Sequence, residues 1–164
     1  MKQNPGKRMK KFSFLLPGSF RSVGIVLTGI GIIILIVRFY YGVKPGILNM
    51  KTFAIFSSYL ESKYFEVVKN QMIEEIGGVI LMAGLFMLAF SKEKDEHDHL
   101  NTLRLQAFFI TAYINTFFLI ISILFTFGFG FVYIMILNFV LGFIIYLLSF
   151  RILIYRYYKN RKKE

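Results

Sequence analysis

The chain of 164 residues contains no cysteine. That absence excludes disulfides, thiolate nucleophiles and cysteine-built zinc or iron–sulfur sites, and with them a whole group of membrane redox enzymes. Asp, Glu, Lys, Arg and His are missing from four long windows, residues 22–37, 76–90, 107–127 and 131–150. Proton-coupled transporters and pumps normally carry a carboxylate or histidine at mid-membrane as the coupling group, and these windows offer none.

What fills the windows is apolar. The chain is 56% hydrophobic and 18% aromatic, with a mean hydropathy of +0.60, beyond what a soluble core of this size needs. Because the runs leave no polar face, a buried soluble helix does not account for them. The last two windows have the length a helix needs to cross a bilayer, and the first two reach it by borrowing flanking residues. A bilayer offers no water to stray amides, so the runs should be helices. The expected fold is all-α: an integral membrane four-helix bundle with spans at 22–42, 72–91, 107–127 and 131–151. The basic N-terminal arm, 1–21, runs into an apolar stretch that continues as "RFYYGVKPG" without a small-residue cleavage site, which reads as a retained anchor.

Charge predicts the threading. Six basic residues from Lys2 to Arg21 precede the first span, six from Arg151 to Lys163 follow the last, and Lys92, Lys94 and Arg104 lie near the connection at 92–106. The other side carries Lys44, Lys51, Lys63 and Lys69, and the turn at 128–130 carries none. The positive-inside rule then places both termini and the 92–106 connection in the cytoplasm. The net charge of +11 sits beside the spans, so anionic lipid headgroups are the expected partner and direct nucleic-acid binding is not expected.

Residues 43–71 form the only sizeable outer segment. Phe53, Phe56, Leu60, Tyr64 and Val67 recur at spacings of three and four, which predicts an amphipathic helix on the outer leaflet. A lid over the bundle mouth and a short strand at "FAIFS" stay open as alternatives.

Among polar groups, Arg38 near the outer end of the first span should meet Glu74 or Glu75 at the outer start of the second, as a structural ion pair or a sensing carboxylate. At the inner edge Arg151 is within reach of Glu93 or Glu96. Asn115 and Asn138 suit interhelical hydrogen bonds, and the seven-residue spacing of Gly24 with Gly31 and Gly77 with Gly84 suits close helix approach.

The stretch "FSKEKDEHDHLNTLR" mixes acids, bases and imidazoles. Asp95, His97, Asp98 and His99 are metal-ligating types, but His97 and His99 diverge on a helix and no H-x-x-x-H spacing is present, so no metal or other cofactor is expected. Paired-carboxylate catalysis would need a shielded cleft. A structural reading has "SKEKDE" extending the second helix, Asp98 or Asn101 capping the third, and Arg104 reaching to the interface. A functional reading makes Glu93, Glu96, Asp98 and Arg104 a docking face for a cytoplasmic protein.

"FSKEK" at 90–94, the acidic cluster and Arg104 after it, "FAIFS" at 53–57 and "EEIGG" at 74–78 resemble an uncharacterised bacterial family of four-span membrane proteins, from about residue 45 onward. Relatives carry Glu-Asp-Glu after FSKEK and one variable residue; here His97 replaces the middle acid. No reaction is established for that family, so the resemblance implies no catalytic residues. Its members are often encoded beside a small helix-turn-helix regulator, which implies a membrane sensor or sequestering partner for a transcription factor. The functional expectation is a non-enzymatic regulatory or sensory membrane protein. A structural or accessory subunit, in a homo- or hetero-oligomer, is the second reading, and a lipid- or metal-dependent membrane enzyme the third.

Overall fold

A computed structural model describes residues 15–58, 62–93 and 98–161. In chain order they form α1 (Ser19–Tyr41), a short 3-10 turn (Gly46–Leu48), β1 (Asn49–Ser58), β2 (Ser62–Gln71), α2 (Ile73–Phe90), α3 (Asp98–Phe125) and α4 (Phe129–Arg161). All four α-helices are long and apolar enough to cross a membrane. The boundaries differ from the expected spans where polar residues continue a helix: α3 begins before residue 107, and α4 runs on through the basic tail to Arg161. The chain divides into two compact units, one of residues 25–84 and one joining residues up to 24 with 85–164.

In the 25–84 unit, α1 and α2 approach closely because small residues face large ones in both directions. A Cβ on Gly31 would lie 2.7 Å from the backbone of Leu81, and one on Gly77 would lie 2.9 Å from Ile34 Cγ2. Only hydrogen at these two positions permits that approach. Gly42, directly after α1, has φ +66°, the left-handed conformation that ends helices at low steric cost. The chain then turns at Pro45 and enters an antiparallel hairpin.

The expected helix over the outer segment is corrected here: β1 pairs with β2 from Asn49↔Gln71 to Ser58↔Ser62. The spacing of three and four fits a helix, but the segment is rich in aromatic and β-branched residues that favour a pleated surface. Its cross-strand partners lie too far along the chain for a periodicity window to register. Phe53 stands opposite Val67, and its ring lies 6.4 Å from that of Phe65, which takes φ 53°. Phe53, Ile55, Phe65 and Val67 are all exposed. The base of the hairpin is tied down by Met72 N–H donating to Leu48 O at 3.0 Å and Gln71 Nε2 donating to Pro45 O at 2.8 Å.

In the other unit, α3 and α4 pack around Leu100, Leu103, Ala107 and Phe150, with Tyr146, Leu153, Ile154 and Tyr157 against them. Stacked rings extend this contact: Phe90 on Tyr146, Tyr146 on Phe150, and His99 on Tyr157 at 4.4 Å. Gly128, φ +66°, turns the chain between α3 and α4. Asn115 Nδ2 donates to Asn138 Oδ1 at 3.0 Å across the pair. Elsewhere the helices present large apolar residues outward, among them Ile25, Ile33, Phe117 and Phe139. Such surface is tolerated in lipid and not in water. The expectation that "SKEKDE" prolongs α2 does not hold for its first residues. The helix stops at Phe90, and Ser91 bridges in parallel to Leu16. Leu16 N–H donates to Phe90 O and Lys92 N–H donates to Leu16 O, both at 2.9 Å, so the segment before α1 satisfies a carbonyl that the end of α2 would leave orphaned.

Candidate functional site

Two polar sites emerge, one in each unit. The first lies at the hairpin end of α1 and α2. Arg38 occupies the last turn of α1 and Glu74 the first turn of α2. Arg38 Nε donates to Glu74 Oε1 at 2.8 Å, and a second guanidinium nitrogen lies 2.5 Å from the same oxygen. Arg38 is mostly covered while Glu74 is half open to its surroundings. Glu75 does not join the pair: its carboxylate accepts from Asn70 Nδ2 at 2.6 Å instead, because successive helix positions point away from each other. Asn70 Oδ1 in turn accepts from Gln71 N–H at 2.8 Å.

These groups wall a cavity of about 350 Å³ that also takes in Lys44 and Lys69. Lys69 stands on β2 opposite Lys51 on β1. Among the described residues, those lining the cavity are all charged or amide-bearing, so charge and hydrogen bonding dominate its chemistry. Neither lysine nor the Asn70–Gln71 pair was singled out from sequence. For Lys69, Asn70 and Gln71 the available signal is their placement just before the Glu pair; Lys44 is distant in sequence and is brought to them only by the hairpin.

The second site is at the connection end. Glu93 is shared by two arginines: Arg21, in the first turns of α1, makes a short ion pair with it, and Arg151 Nη2 lies 3.4 Å from Oε1. Of the carboxylates considered for Arg151, Glu93 is brought to it, and Glu96 lies outside the described residues. Arg21 is the partner that sequence reasoning missed, because it counted only as one more basic residue of the N-terminal arm.

Arg104 is placed inward. It is 8% exposed; one nitrogen donates to Ser91 O at 3.1 Å, another reaches Ala89 O at 3.5 Å, and the guanidinium lies over the ring of Phe150. It therefore closes the C-terminal end of α2, where carbonyls lack partners and the helix dipole favours a cation. Asp98 opens α3, which puts Asn101 inside the first turn and not at the cap. Asp95, Glu96 and His97 lie outside the described residues. His99, one of the four metal-ligating types considered, stacks on Tyr157.

The four spanning-length helices define the chain as a multi-pass membrane protein. No protein-family model, curated protein or solved structure matches it.

Proposed function

We propose that this chain is a non-enzymatic regulatory or sensory protein of a bacterial inner membrane, with both termini and the 92–106 connection in the cytoplasm and the hairpin outside. The observation that carries the reading is that α1 bears a paired arginine near each end. From Arg21 to Arg38 the rise is about 26 Å, close to the apolar thickness of a bilayer. The hairpin joins α1 to α2 at one limit of that band, and the charged connection leaves α2 at the other. A change in the hairpin or its cavity is thus covalently linked, through two helices, to the segment a cytoplasmic partner would meet.

The partner is a cytoplasmic protein with a basic surface, in the first instance a small helix-turn-helix regulator. With Glu93 held by Arg21 and Arg151 and with Arg104 turned inward, the acids assigned to docking narrow to Glu96 and Asp98. Co-purification of the full chain with such a regulator, abolished by Glu96→Ala with Asp98→Ala, is the expected result; recovery unchanged by the double variant removes the docking surface.

Orientation has a direct test, since every introduced cysteine is unique in a chain without one. An impermeant maleimide added to intact cells should label Lys51→Cys and leave Lys159→Cys untouched until the cells are opened. The reverse pattern inverts the topology.

The second reading, an accessory subunit of a membrane complex, draws support from the hairpin. A two-stranded sheet has two open edges and is marginal alone in water, so a strand from another chain would complete it. Purification of the chain solely in company with other integral proteins would favour it.

A further inference from the structure

We propose that the cavity between the hairpin base and the hairpin ends of α1 and α2 binds a phosphate-bearing headgroup, held by Lys44 and Lys69. The inference stands on the cavity alone and holds whether or not the protein is a regulator.

The walls are already fixed before any ligand arrives. Arg38 is occupied by Glu74, Glu75 by Asn70, and Gln71 by the carbonyl of Pro45. Arg38, Glu74, Glu75, Asn70 and Gln71 all line the same cavity. Of its charges, Arg38 and Glu74 neutralise each other, leaving two ammonium groups against the single carboxylate of Glu75. Both lysines are exposed, and neither makes an ion pair among the described residues. The unbalanced charge is therefore positive and lies on two flexible stems able to converge on one anion. Lysine is a point-charge donor well suited to phosphate.

The volume, about 350 Å³, is at the lower end of the range for small-molecule sites and suits a headgroup better than a whole lipid. The charged and amide groups that line the cavity suit a headgroup better than an acyl chain. The position supplies a place for the chain outside: Phe39, Tyr40 and Tyr41 are exposed at the end of α1 beside the cavity, where aromatic residues sit at the membrane boundary. An amphiphile could leave its phosphate in the cavity and its chains along α1. A soluble phosphorylated compound would satisfy the same lysines, and the test separates the two.

The full chain, purified in a neutral detergent, is titrated with phosphatidylglycerol, with phosphatidylethanolamine and with inorganic phosphate, reading thermal stabilisation and bound lipid by native mass spectrometry. Binding that weakens roughly tenfold or more in Lys44→Gln with Lys69→Gln, and is kept in Lys51→Gln with Lys92→Gln, supports the site. Retained lipid identifies the ligand as a membrane headgroup. Stabilisation by inorganic phosphate alone, with the same dependence on the two lysines, identifies it as soluble. Either ligand binding equally to the Lys44/Lys69 variant, or to neither protein, overturns the proposal. Lys→Gln changes at exposed positions leave the fold in place, and an unchanged melting temperature without ligand checks this.

Discussion

The guanidinium of Arg104 on α3 lies 4.7 Å above the ring centroid of Phe150 on α4 while donating to the carbonyl of Ser91 just past α2. One side chain thus ties three elements at the connection end of the protein. It combines a cation over an aromatic face with charge-assisted hydrogen bonds in a nearly dry place.

Removing that side chain should be among the costliest single changes outside the close glycine contacts. Arg104→Ala is expected to lower stability by about 2 to 3 kcal/mol, since it strips carbonyls of their donors and uncovers Phe150. Arg104→Lys should recover only part of this, because an ammonium cannot lie flat on the ring and reach two carbonyls at once. Thermal unfolding in detergent measures both, and a Lys variant equal to wild type would refute the geometric argument.

Glycines of α1 should respond with opposite signs. Gly31→Ala puts a methyl into the backbone of Leu81 and should cost about 1 to 3 kcal/mol by forcing the helices apart. Gly29→Ala meets nothing within 4 Å and should be neutral or stabilising by up to about 1 kcal/mol through helix propensity. Parallel melts of the two variants make the comparison.

The Arg38–Glu74 pair is partly open, so its contribution is modest. Glu74→Gln should cost less than about 1 kcal/mol. Arg38→Glu should destabilise by more, by setting like charges together, and Arg38→Glu combined with Glu74→Arg should win back much of the loss. A swap no better than the single reversal would show that neighbours, and not the pair, set the cost.

Asn115 and Asn138 should couple across α3 and α4. A double-mutant cycle with Asn115→Ala and Asn138→Ala is expected to return about 0.6 to 1 kcal/mol. Strict additivity of the two single changes would mean that the contact carries no interaction energy.

Sequence and structure part company at identifiable places. The four helices were legible because each is a long local signal: two uncharged runs of spanning length, and two shorter ones that reach it with their flanks, have no soluble alternative, whatever their neighbours do. The juxtaposition of Arg38 with Glu74 was legible for the same reason, since antiparallel helices joined in sequence bring their facing ends together. The hairpin was not legible. A strand is specified by its cross-strand partner, and Phe53 pairs with Val67 across a loop of unmarked composition, while the apolar spacing within 53–67 also satisfied a helix.

The destinations of individual charges likewise belong to the tertiary structure. Arg21 and Arg104 look alike in sequence, each a basic residue near an apolar run. One meets Glu93 in a part-buried ion pair, and the other lies against the Phe150 ring and closes the end of α2. Sequence alone determined that this is a multi-pass membrane protein, because transfer of apolar residues from water to lipid is additive along the chain. Which arginine pairs, which caps, and which lysines face a common cavity were decided by packing, because hydrogen bonds and ion pairs depend on positions that distant segments set together.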